Sequence, residues 1–140
     1  MAVTSTPIFP QTIKNGLIQI LNATGTNPVT LYTPGTNGSK IESIFVTTTD
    51  QSNSVDIQLE IVASAVTYIL STMTIASGSG TTDNVPTTNI LNNFQLPACT
   101  RDSNGNPYIY LASGSVLKVK TTTTVTMGET VSIIANGGDY

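Results

Sequence analysis

Histidine and tryptophan are absent from these 140 residues, and Cys99 is the only cysteine. Charged side chains make up 9% of the chain. Each shortage excludes something. Without histidine there is no side chain whose ordinary pKa lies near neutrality, so Ser-His-Asp and Cys-His catalysis are ruled out. One cysteine and no histidine cannot supply the usual zinc ligands. A single cysteine also rules out an intrachain disulfide, and with it the small disulfide-built secreted domain. The five basic residues, Lys14, Lys40, Arg101, Lys118 and Lys120, give a net charge of -3, too little positive charge for nucleic acid or an anionic membrane surface. No apolar run approaches the ~18 residues of a membrane-spanning helix. The start, Met1-Ala-Val-Thr-Ser-Thr-Pro7, lacks the basic-then-apolar pattern of a secretory signal. Synthesis and folding in a cytoplasm is therefore the expectation.

What fills the space is serine, threonine, asparagine and glycine around short apolar runs. The length suits one domain with a real core. Residues 1–11 are predicted to be an extended arm, because Pro7 and Pro10 favour extended backbone before them. Ile8 and Phe9 on that arm are candidate interface residues. Residues 12–140 are predicted to be the folded domain. Strands are predicted at 12–22, with a possible bulge at Asn15-Gly16, and at 29–32, 40–49, 55–63, 66–75, 108–111, 116–124 and 130–136. The clearest alternation sets Val55, Ile57, Leu59, Ile61 and Ala63 on one face, with Asp56, Gln58 and Glu60 on a solvated face. Val66–Ile75 should return as the second arm of a hairpin. Residues 83–97 suit a short helical turn or irregular segment burying Leu91 and Phe94, and Gly137-Gly-Asp-Tyr140 reads as a tail.

Many short strands, frequent turns and no long amphipathic helix indicate an all-β fold. It should be a single-domain antiparallel β-sandwich or barrel, jelly-roll or immunoglobulin-like. The expected core is Ile18, Ile20, Phe45, Val55, Ile57, Leu59, Ile61, Leu70, Leu91, Phe94, Leu117, Val119 and Ile133.

Signals for chemistry are weak. Asp56 and Glu60 share a strand face but lie about 13–14 Å apart along it, whereas glycosidase carboxylates need about 5–9.5 Å. Asp102-Ser-Asn-Gly-Asn106 has half the pattern of a calcium loop and also reads as a plain turn. Tyr108 and Tyr110 share a strand face and suit either a sugar platform or packing. Lys118 and Lys120 are the only two basic residues close together. No enzyme is expected, no cofactor and no metal.

Several stretches carry a resemblance. They are Thr6-Pro-Ile-Phe-Pro-Gln-Thr12, Gly38-Ser-Lys-Ile-Glu-Ser-Ile44, Gly105-Asn-Pro-Tyr-Ile-Tyr-Leu111, Leu117-Lys-Val-Lys-Thr121 and Asn136-Gly-Gly-Asp139. Together they resemble small structural proteins of tailed bacteriophages, a group that includes head decoration (cement) proteins. The resemblance implies a β-rich virion module added to the outside of a capsid. Its implied partners are the major capsid protein and copies of itself, often as a homotrimer. The resemblance brings no catalytic residues. A carbohydrate- or receptor-binding domain of a tail is the alternative, and Ile8, Phe9, Tyr108, Tyr110, Lys118 and Lys120 are the candidate interface residues under the first reading.

Overall fold

A computed structural model describes residues 9–93, 96 and 99–140. The chain runs through ten strands: β1 (Thr12–Leu21), β2 (Val29–Tyr32), β3 (Ser39–Thr48), β4 (Val55–Ala63), β5 (Val66–Ile75), β6 (Thr88–Asn89), β7 (Thr100–Arg101), β8 (Pro107–Leu111), β9 (Ser115–Thr121) and β10 (Thr130–Asp139). Two single 3-10 turns, Asn22–Thr24 and Ile90–Asn92, are the only helical pieces among the described residues. One sheet has the order β1-β10-β3-β8-β7, with β6 also paired to β3; the other has the order β2-β9-β4-β5. Every pairing between these strands is antiparallel. The pairs nest, β4 with β5, β3 with β8, β2 with β9 and β1 with β10, as if one long hairpin were rolled around a core. That is a jelly-roll sandwich.

Both sheets supply the core. Ile20, Ile41, Ile44, Val46, Val131 and Ile133 come from the first, and Leu31, Ile57, Leu59, Met73, Ile75, Leu117 and Val119 from the second. Alternation explains most of this: on β9, Leu117, Val119 and Thr121 are buried while Lys118 and Lys120 point out. The hairpin of β4 and β5 closes on Ser64 and Ala65, both with positive φ (50° and 61°). This is the two-residue, left-handed loop that matches strand twist, here without the glycine or asparagine it usually recruits.

Several expectations are corrected by irregularities in the sheets. The register between β10 and β3 skips Glu42, so Ile41 joins Ile44 and Val46 on the inner face. Phe45 therefore lies on the outer face, half-buried, and is not core. Leu70 is not core either: it is the extra residue of a bulge opposite Leu59 and Glu60, and is partly exposed on an edge strand. Ile18 and Ile61 are only partly buried and pack at the margin of the core. Glu60, expected in solvent, is 3% exposed and pairs with Lys120 at 3.2 Å. The β1–β10 ladder runs unbroken from Thr12 to Leu21, so Asn15-Gly16 forms no bulge. Gly16 serves another purpose: a Cβ there would lie 2.0 Å from the Leu31 carbonyl oxygen, because β2 crosses close beneath β1.

The tail expected at residues 137–140 is strand as far as Asp139. Gly137 lies so close to β3 that a Cβ would come within 2.2 Å of the Lys40 carbonyl. Residues 88–92 form a short strand and a 3-10 turn that bury Ile90 and Leu91. The Asn89 side chain fastens them by accepting from the Leu91 and Ile44 amides. Phe94, the other expected anchor, lies outside the described residues.

Two predictions follow from this packing. Leu59→Ala removes a fully buried side chain and should cost about 2–5 kcal/mol in denaturant unfolding. A loss within experimental error would refute its place in the core. Gly16→Ala forces backbone apart where β1 crosses β2, and should destabilise by more than about 2 kcal/mol. A variant as stable as the parent would mean that the two strands are not in close contact.

Candidate functional site

The outer face of the first sheet is built in rows across β1, β10 and β3. Asn15, Asn136 and Ser43 lie in register and form a hydrogen-bonded ladder: the Asn15 amide donates to Asn136 Oδ1 at 2.6 Å, and the Asn136 amide donates to Ser43 Oγ at 3.1 Å. The next row is apolar, Leu17 beside Ile134 beside Phe45. The row after it is polar again, Gln19, Ser132 and Thr47. Along β1 the outward positions are Ile13, Asn15, Leu17, Gln19 and Leu21. Ile13 is 90% exposed and Leu17 69%, and Leu21 and Ile134 are exposed too. Phe9, just before the strand, is 73% exposed. A surface with this much exposed apolar area is characteristic of a protein contact rather than a free face. The charges that border it beside Ile13, those of Lys40 and Glu42, pair with each other.

Ile8 lies outside the described residues. Tyr108 and Tyr110 do come together at the other end of the same sheet. Their rings meet edge to face with centroids 4.8 Å apart, and Tyr140 adds a third ring 6.2 Å from Tyr110. Tyr140 is held there by its amide, which donates to the Gly38 carbonyl at 3.1 Å. Burial, then the neighbouring Tyr110, pushes the Tyr140 hydroxyl up to about 12 and raises that of Tyr108. The Lys40 ammonium sits 4.8 Å from the Tyr108 ring centre and bonds Glu42 at 3.0 Å. A polar groove of about 270 Å³ opens beside them, lined by Lys40, Glu42, Asn92, Asp102, Asn106 and Tyr108 among others.

Lys118 and Lys120 project from the outer face of the second sheet, opposite Glu60 and Gln58 of β4. Lys120 is committed to the buried Glu60 carboxylate. The Asp102 loop is a turn: its carboxylate accepts from the Asn104 and Asn106 amides, both at 2.8 Å. Among the described residues no cluster of three His, Cys, Asp or Glu could hold a metal ion. Burial pushes the Cys99 thiol up, away from the reactive thiolate.

The sequence reading did not select Ile13, Leu17, Leu21 or Ile134. Their signal was present in the alternation along β1, but both faces of that strand carry apolar residues, and alternation alone does not say which faces inward. It also missed Tyr140 and Lys40, which only the β10–β3–β8 pairing brings to the tyrosines.

The chain matches no protein-family model and no curated protein. Among solved structures it is similar to a pentameric capsid protein from metagenomic phage sequences, with 16% identity and a TM-score of 0.39, over 89% of this chain and 59% of that one. It is also similar to a chain of the cyanophage Pam1 capsid asymmetric unit, with 9% identity and a TM-score of 0.46, over 100% of this chain and 93% of that one. Likenesses at these scores assign no role to this chain.

Three aspartates titrate low. Asp50 is lowered to about 2, first by the Thr126 hydroxyl at 2.6 Å and then by the Asn53 and Ser52 amides. Asp102 is lowered by the Asn106 amide. Burial opposes the charge of Asp139, but the Ser39 hydroxyl and Lys14 outweigh it, and its pKa also falls. A lowered native pKa means that the unfolded chain binds protons first as pH falls. The stability these groups contribute is complete above the ordinary aspartate value of 3.8 and is lost as pH falls towards about 2. Thermal melts should therefore show a falling midpoint between about pH 4 and pH 2. Asp50→Asn should lower stability at neutral pH and flatten part of that slope. An unchanged slope would mean that Asp50 does not hold the loop.

Proposed function

We propose that this chain is a non-enzymatic structural protein of a tailed-phage virion. It is made in the bacterial cytoplasm and decorates the outside of the head. Its partners are the major capsid protein and copies of itself, with the homotrimer implied by the resemblance as the form on the particle. The observation that carries this reading is the exposure of Ile13, Leu17 and Ile134 on the outer face of the first sheet, with Phe9 exposed just before it. Buried against a shell, the row of Leu17, Ile134 and Phe45 gains hydrophobic free energy at little desolvation cost, because that row holds no charge, and the charges nearest Ile13, those of Lys40 and Glu42, pair with each other. The sequence resemblance points to the same setting, and jelly rolls are a recurrent architecture of viral coat domains, though lectins share it. A coat protein bound in many copies needs only modest strength at each contact.

Mass spectrometry and cryo-microscopy of purified particles test the reading, which fails if the protein is absent from them. The surface can be tested separately. Ile13→Glu with Leu17→Glu changes two exposed residues and should leave the fold intact. It should reduce occupancy on particles by roughly tenfold or more. Full occupancy by the double variant would remove this face from the contact.

A second reading, a carbohydrate- or receptor-binding domain, is favoured by one observation: three tyrosines beside a polar groove. Binding on a glycan array that is lost in Tyr110→Ala, with no affinity for capsids, would select it. The absence of tryptophan counts against it.

A further inference from the structure

The first half of β5 is a long free edge. Val66, Thr67, Tyr68, Ile69 and Leu70 are all exposed, Ile69 at 62% and Tyr68 at 55%, although they belong to a regular strand. Among the described residues, their backbone pairs only with β4. The second sheet's other edge, β2, has four residues, and β1, the ten-residue edge of the first sheet, carries the charged Lys14. β2 lies under β1, with the Leu31 carbonyl against Gly16. On the far side of the first sheet, β6 and β7 have two residues each.

Natural proteins guard a long apolar edge with charge, proline or a bulge, because an open row of amides and carbonyls recruits another strand. From Val66 to Ile75 there is no charged residue and no proline. The single bulge lies at Leu70, the last residue of the exposed run, and leaves Val66–Ile69 in regular register. The two-residue loop at Ser64 and Ala65 keeps that run extended to its tip.

We propose that this edge is a two-fold contact between copies of this chain, β5 against β5 of a second copy, antiparallel and centred on Tyr68. The pairing joins two four-stranded sheets into one and sets the two Tyr68 rings across from each other. Thr67 then meets Ile69 of the second copy, and Val66 meets Leu70. Charge favours this occupant. A two-fold axis sets like opposite like, and a charged edge would repel itself, but β5 carries no charge. Behind it, the outer face of β4 and β9 balances Asp56 and Glu60 with Lys118 and Lys120. A self-complementary edge of this kind makes an isologous interface, the commonest kind in homo-oligomers. If the chain also forms trimers, the same contact links one trimer to the next. The inference does not rest on the virion reading, because it concerns the protein alone.

Light scattering on the purified chain tests it. The expected mass corresponds to an even number of chains. Tyr68→Lys should halve that mass, and so should Tyr68→Glu, with circular dichroism unchanged because the side chain is exposed in the single chain. An equimolar mixture of the two variants should restore the parental mass, since lysine then faces glutamate across the axis. An odd-numbered parental assembly would overturn the proposal. So would variants of undiminished mass, or a mixture that fails to reassemble. If the parent is a single chain in solution and Tyr68→Lys lowers only occupancy on particles, the edge belongs to the capsid protein and the self-contact is refuted.

Discussion

The crossing of β1 over β2 at Gly16 is the constraint on which the rest of this molecule depends. Nested antiparallel pairing sends the first strand to one sheet and the second to the other, so the chain must pass between sheets within a few residues. It does so through the 3-10 turn at Asn22–Thr24, and the two strands then lie in contact. Only a residue without a Cβ fits over the Leu31 carbonyl. Once that corner is closed, β10 lies beside β1 along its full length, and β3 lies beside β10. The outer rows of asparagine and of apolar residues are consequences of that register. The opposite corner, at β5, stays open.

Scarcity of charge shapes the surface as much as the core. Three of the lysines are tied to carboxylates: Lys14 to Asp139, Lys40 to Glu42 and Lys120 to Glu60. Lys14 also donates to the Thr33 carbonyl at 2.6 Å, which fastens the start of β1 to the loop after β2. Ser39 donates to the same Asp139, so the end of the last strand is held by both β1 and β3. The Tyr32 hydroxyl comes near Ser39 and Asp139 in this cluster without a hydrogen bond of good geometry. Charges bound into such local pairs leave broad neutral faces, and neutral faces can be buried against another protein with little desolvation cost.

Two of those faces differ in kind. The outer face of the first sheet offers side chains, so a partner would meet it through apolar contact and amide hydrogen bonds. The free edge of β5 offers backbone groups, and a partner strand would extend the sheet. A molecule with both has separate means of holding to a surface and to its own kind.

The sequence by itself determined the all-β class, the principal strands, the β4–β5 hairpin and the buried face of β4 and β9. Alternation and turn residues are local, and a window of ten residues carries them whole. It also determined the composition, no histidine and a single cysteine, which needs no fold to read. The tertiary structure decided the rest. Glu42 and Leu70 are bulge residues, and a one-residue slip reverses which side chains face inward. No local pattern marks that slip, so Phe45 and Leu70 appeared to be core. Gly16 and Gly137 look like breaks in a strand when read along the chain, yet both mark backbone contact with a strand distant in sequence. The exposure of Ile13 and Leu17 became visible only when β10 was laid beside β1, because apolar residues occupy both faces of β1 and only the partner strand and the opposing sheet determine which face is covered.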